Sequence, residues 1–177
     1  MLFFFKVPYI IISKIESIFY FFLLKIKYKN VKEVNLGSGG SYKFIIELDG
    51  KKFFVKKFTK TQDFWDIINK YFNDNMPEIV PSVSEKLFSA KLIKDTPELQ
   101  IFCNVYKVDF FRKEIWTDYF EKGIEFSPNK SDENLIKKIK KIFLDHGLVS
   151  CDHETRNFIK INNQIKLIDI DSFQYVK

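Results

Sequence analysis

The chain has 177 residues, 46% of them hydrophobic, which suits one domain with a full core and excludes a disordered segment. Its two cysteines, Cys103 and Cys151, stand far apart and offer neither a disulfide framework nor zinc-ligand spacing, so a reducing compartment is expected and zinc chemistry is not. The formal charge of +6 comes from scattered lysines without an aromatic-and-Arg stripe, which argues against a nucleic-acid partner and for a solvated surface mildly attractive to anions.

The first element is an apolar segment. Residues 1–29 contain no uncharged stretch of the roughly 18 residues a membrane span needs, because Lys6, Lys14, Glu16 and Lys25 interrupt it. No small-residue cleavage site of a signal peptide follows it. Ile15, Ile18, Phe19, Phe22 and Ile26 recur at helical spacing, while Phe21, Leu23 and Leu24 widen the apolar face. Residues 1–30 therefore read as an amphipathic helical segment with two roles open. It either packs on the domain that follows, the plainer reading, or lies through residues 1–29 on a membrane surface with its lysines at the interface. The matching locations are the cytoplasm or the periphery of the inner membrane.

Next comes a glycine cluster, Leu36-Gly37-Ser38-Gly39-Gly40-Ser41-Tyr42, leading into alternating runs at 42–48 and 51–58. The Asp49-Gly50 pair between those runs predicts a two-residue hairpin. The cluster alone is either a phosphate cradle or a flexible turn. Residues 62–73 read as a helix, ended by two prolines within 76–81. A second helix is expected over 84–92 with Ser84 as its cap. Residues 99–111 and 115–120 are β-rich, separated by Arg112-Lys113-Glu114. After the polar run at 129–133, a helix over 132–145 is expected between the cap Ser131 and the stop Gly147. Its lysines, Lys137, Lys138, Lys140 and Lys141, read as a solvated face.

The last quarter, CDHETRNFIKINNQIKLIDID, is the most informative. Asp152 is followed by Asn157, an apolar strand, an Asn162-Asn163 turn, a second strand, and Asp169 at its end. Phosphoryl transfer from ATP requires one carboxylate to orient the attacking hydroxyl, and an amide and a second carboxylate to hold Mg²⁺. A hairpin flanked in this way brings all three together.

The order of parts resembles the protein-kinase-like superfamily. Residues 140–171 further resemble lipopolysaccharide core heptose kinases, which carry an SGD-x4-N-F-I loop and a KIID strand. Choline and aminoglycoside kinases share the D-x4-N…D-x-D/E order. The likeness is loose over 36–125 and absent over 1–30. Ser150-Cys151-Asp152 departs from the family loop at Cys151, where Gly is usual, and Tyr42 stands where a third glycine belongs.

The resemblance implies an α+β, two-lobe protein-kinase-like fold. It has an antiparallel N-lobe sheet (residues 31–120) and a minimal helical C-lobe (121–177), the chain ending at Lys177 soon after Asp169. The implied activity is ATP- and Mg²⁺-dependent phosphotransfer to a hydroxyl of a small-molecule or glycolipid acceptor, a lipopolysaccharide core sugar foremost. A minimal, effector-like protein kinase and a nucleotide-binding pseudokinase are the alternatives. Carried over residue by residue, Asp152 orients the acceptor hydroxyl and Lys56 neutralises phosphate charge. Asn157 and Asp169 hold Mg²⁺. Gly37, Ser38, Gly39 and Gly40 cover the phosphates. Phe120, Glu121 and Lys122 form the hinge that receives adenine, and Glu85 pairs with Lys56, with Glu78 and Asp66 as rivals. Asp171 touches a second metal or caps the strand end. Arg156 pairs with substrate phosphate or with Asp152, or forms a structural salt bridge.

Overall fold

Two tight turns set the hairpins of this chain. In the computed structural model, which describes residues 2–34, 41–59, 62, 81–120, 127–151 and 157–176, Asp49 and Gly50 have φ of 51° and 75°. Asn162 and Asn163 have φ of 49° and 63°. Both central residues of a type I′ turn need positive φ, which Asp, Asn and Gly tolerate best. The first turn joins β2 (Ser41–Leu48) to β3 (Lys51–Phe58), and the second joins β7 (Phe158–Ile161) to β8 (Gln164–Leu167).

A five-stranded antiparallel sheet in the order β1-β2-β3-β5-β4 forms the first half, with β1 at Asn30–Glu33, β4 at Val105–Asp109 and β5 at Glu114–Asp118. Alternation along the strands sorts its side chains into two faces. Phe44, Ile46, Val55 and Trp116 point to the outer face and form a buried cluster with Leu24 of helix α1 (Leu2–Lys27). Phe21 of α1 stacks on Phe44 at 5.9 Å between ring centroids, and Tyr28 meets Trp116 edge-on at 5.8 Å. The N-terminal segment is thus a helix packed on the sheet, its plainer reading.

The inner face carries Phe54, Lys56 and Phe58 of β3 and Ile115 of β5, with Lys56 opposite Ile115. Phe58 and Ile115 belong to the main core. That core joins the sheet to helix α2 (Val83–Asp95), to helix α4 (Lys130–Asp145) and to the C-terminal strands. At its centre Phe143 packs on Phe173 at 4.6 Å.

Both helix starts lie two residues upstream of the expected caps. Ser82, not Ser84, caps α2: its hydroxyl accepts from the Glu85 N–H, and the Glu85 carboxylate accepts from the Ser82 N–H at 2.7 Å. Asn129, not Ser131, caps α4, with Asp132 closing the reciprocal bond. Each is a capping box, and an acid at the third helical position favours it over a cap without one. The β-rich run at 99–111 is also shorter than expected. Pro97 opens a single helical turn, α3 (Pro97–Gln100), where its missing N–H costs nothing. Gln100 then bonds both backbone groups of Val105, and only there does β4 begin. The expected helix over 62–73 lies outside the described residues apart from Gln62.

The second half is built from α4, β6 (Leu148–Ser150), the β7–β8 hairpin, a 3₁₀ turn at Ile170–Ser172, and β9 (Phe173–Tyr175), which pairs antiparallel with β6. Gly147, at φ 76°, makes the turn from α4 into β6, where a Cβ would stand 3.0 Å from both Tyr175 and the Val176 carbonyl. The architecture is α+β, with an antiparallel five-stranded N-terminal sheet and few helices among the described residues.

Candidate active site

Lys56 and Asp169, 113 residues apart in sequence, meet at the centre of the inner face. The Lys56 ammonium donates to Asp169 Oδ1 at 3.0 Å. Pairing with Lys43 on one side and Ile115 on the other fixes Lys56 within the sheet, and its side chain is only 12% exposed. Asp169 is 43% exposed and so faces the open side of this contact.

Asp169 and Asn157 are held by backbone bonds at the two ends of the β7–β8 hairpin. The Ile168 N–H donates to the Asn157 carbonyl at 2.8 Å, which closes the hairpin base. The Ser172 hydroxyl donates to the Asp169 carbonyl at 2.7 Å and locks the following 3₁₀ turn. Asn157 is 5% exposed, and its amide nitrogen is buried with no hydrogen-bond partner among the described residues. A buried amide left unpaired costs about 1–3 kcal/mol and calls for a reason. A carboxamide and a carboxylate flanking one hairpin supply the oxygen donors a hard cation such as Mg²⁺ prefers. Among the described residues no cluster of three His, Cys, Asp or Glu could hold a metal ion. The donor set of this site instead combines one carboxylate with one amide.

The loop that leads to Asp152 is anchored to the same turn. The Cys151 N–H donates to the Ser172 carbonyl at 2.7 Å, continuing the β6–β9 pairing. The Cys151 thiol lies 3.8 Å from Gln174 Oε1, and burial, with Glu85 nearby, pushes it above its usual value. Asp152, His153 and Arg156 themselves lie outside the described residues, as do Gly37, Ser38, Gly39, Gly40, Glu121, Lys122, Asp66 and Glu78. Phe120 is described, just past the end of β5.

Glu85 lies in the first turn of α2. Its carboxylate closes the α2 capping box with the Ser82 backbone and hydroxyl and accepts from Gln174 at 3.2 Å. The physical reason is position: Glu85 stands in the first turn of α2, where its nearest donors belong to its own helix start. Sequence reading missed Lys86, which is buried in the same turn with its ammonium 5.9 Å from the Phe58 ring centroid. The signal was present: Val83, Lys86, Leu87, Ala90 and Ile93 share one helical face, so a lysine occupies a core position.

A cavity of about 360 Å³ opens on the inner face toward the far end of β3. Ile45, Glu47 and Lys52 line it beside Lys32 of β1 and Tyr119, which follows β5. Lys52 and Lys56 lie on the same face of β3, roughly 13 Å apart at strand rise. Asp118, by contrast, belongs to the outer side, where it accepts from Tyr106 at 2.7 Å and pairs with Lys51 at 3.6 Å.

No protein-family model and no curated protein matches the chain. Among solved structures, choline kinase LicA from Streptococcus pneumoniae is similar at 14% identity and a TM-score of 0.45, over 82% of this chain and 64% of that one. The chain therefore spans under two thirds of the length of that neighbour. A likeness at this level assigns nothing, so the fold stands on the strand order and pairings above. No match supports the narrower resemblance to lipopolysaccharide core heptose kinases.

Proposed function

We propose that this protein transfers the γ-phosphoryl group of ATP, with Mg²⁺, to a hydroxyl of a small-molecule acceptor, and that the acceptor is a sugar, a lipopolysaccharide core sugar foremost. The observation that carries this reading is the Lys56–Asp169 pair, next to the base of the hairpin where Asn157 is buried. A cation and a carboxylate brought together from distant strands, with the carboxylate partly exposed, add little to stability through their charges alone. They have a clear use when a polyphosphate lies between them.

In this reading Lys56 contacts the phosphates from the sheet, and Asp169 and Asn157 hold the ion that neutralises charge on the transferring group. The cavity beside Tyr119 takes the nucleoside end, since it lies on the Lys56 face at the reach of an extended nucleotide. Gly37, Ser38, Gly39 and Gly40 cover the phosphates, and Phe120, Glu121 and Lys122 contact the base. Asp152 orients the acceptor hydroxyl. An ordinary carboxylate suffices there because the transition state is loose and positioning dominates.

The test is ATP binding with and without Mg²⁺, on the wild type and on Asp169→Ala. Binding that requires the metal and is lost in the variant supports the site. A folded wild type that does not bind ATP refutes it. Labelled phosphate then identifies the acceptor. Label in a sugar or glycolipid fraction supports the sugar reading, and label in protein alone replaces it with a minimal protein kinase.

A further inference from the structure

Helix α1 is apolar on two opposite sides, and the sheet covers only one. Leu24, Tyr20 and Phe21 turn toward the sheet. Ile12, Ile15, Ile18, Phe19, Phe22 and Ile26 turn away from it, and each is more than half exposed. These six recur three or four residues apart, so they form one continuous stripe along the helix. A contiguous apolar stripe of this size is unusual on a water-facing surface and marks an interaction site.

Charge selects the occupant. At 100° per residue, Lys14 and Lys25 fall along one edge of the stripe and Lys27 along the other, all three exposed. The one acid of the described helix, Glu16, is half-buried and sits near Lys57. A second, independent feature lies beside α1. The β4–β5 turn carries Phe110 and Phe111, the latter 96% exposed, followed by Arg112 and Lys113. It is tied to α1 through Lys57, which bonds the Arg112 carbonyl and lies over the Tyr20 ring at 5.0 Å. Exposed aromatics with cations next to them repeat the composition of the helix stripe on a separate element. No helix among the described residues is long and apolar enough to cross a membrane.

We propose that the exposed face of α1 and the Phe110–Lys113 turn together dock this protein on an anionic lipid surface. The apolar side chains enter the headgroup boundary and the lysines meet lipid phosphates. A second copy of the chain would bring two lysine-edged stripes together, whereas an anionic bilayer complements them. The docked surface lies on the opposite side of the sheet from Lys56, so the cleft stays open to solvent. The inference does not depend on the phosphotransfer reading.

The experiment is co-sedimentation of the full chain with vesicles of phosphatidylcholine alone and with phosphatidylglycerol added. The variants are Ile15→Gln/Phe19→Gln/Phe22→Gln, Phe111→Ser, and Lys14→Glu/Lys25→Glu. The changed side chains are exposed, and Trp116 fluorescence, read in a Trp65→Phe background, checks that α1 remains on the sheet. Binding to the anionic vesicles only, weakened at least tenfold by the triple and the charge-reversal variants and several-fold by Phe111→Ser, is expected. No binding to anionic vesicles overturns the proposal. So does binding that the triple variant leaves unchanged, or a lipid-independent dimer that the triple variant abolishes.

Discussion

Asn157→Leu separates a functional amide from a structural one. The Asn157 amide nitrogen is buried with no partner among the described residues, and the bond from Ile168 to the Asn157 backbone carbonyl does not depend on the side chain. Leucine has nearly the same shape and no polar hydrogens to desolvate. Removing the unpaired group should therefore recover about 1–3 kcal/mol of stability. In a chain of this size each kcal/mol raises Tm by about 2–4 °C. The same substitution removes a proposed Mg²⁺ ligand. Wild type with MgATP at about 100 times its Kd should gain roughly 2.7 kcal/mol by mass action, and the variant should gain none. Thermal melts of both proteins with and without MgATP read both effects. A variant that melts lower than wild type shows that the amide is a structural partner. A variant that MgATP still stabilises shows that Asn157 does not hold the ion. Either result refutes the reasoning.

Other expectations follow from the same structure. Lys56→Met should leave folding stability within about 1 kcal/mol of wild type, because the Asp169 partner is partly exposed, yet lower the proposed phosphotransfer by about 10²–10³-fold in a steady-state assay. Gly147→Ala should destabilise by more than about 1 kcal/mol in urea titrations, since alanine resists positive φ and its Cβ meets Tyr175. The hydrogen bond from Lys160 at 2.8 Å holds the Asp132 carboxyl below its usual value. A group lowered on folding contributes stability above its unfolded pKa of about 3.9 and loses it as pH falls through the folded value. The stability gap between wild type and Lys160→Met should thus be full near neutral pH and close in acid, as melts across that range would show.

Local parts of the fold were legible because short-range chemistry sets them. Asp49-Gly50 and Asn162-Asn163 announce their turns, and alternation announces the strands around them. The cap positions were legible too, but only to a reader who weighs Ser82 together with Glu85 and Asn129 together with Asp132, rather than the serine nearest the apolar run. Pro97 likewise marks the helical turn that shortens the expected strand. The contact between Lys56 and Asp169 is of another kind. No local pattern specifies it, and it follows only from the register of β3 with β5 and the docking of the β7–β8 hairpin below. The capping role of Glu85 is local and was within reach of the sequence, whereas the orientation of its helix against the sheet was not.

The β6–β9 pair also bears on how this chain reaches its structure. Leu148 meets Tyr175 and Ile161 meets Gln164 within one short stretch, so the C-terminal half closes on itself through brief excursions of the chain. Strand β3 must instead wait for β5 until everything between Thr59 and Lys113 has been gathered in. Closing the longer loop costs more entropy and delays its reward. During refolding, pulsed hydrogen exchange should therefore protect the amides of β6 and β9 before the β3 amides that bond β5. Until β5 arrives, β2 and β3 wait as a hairpin with an unpaired edge, the stage at which a nascent chain is most exposed to mispairing with a neighbour.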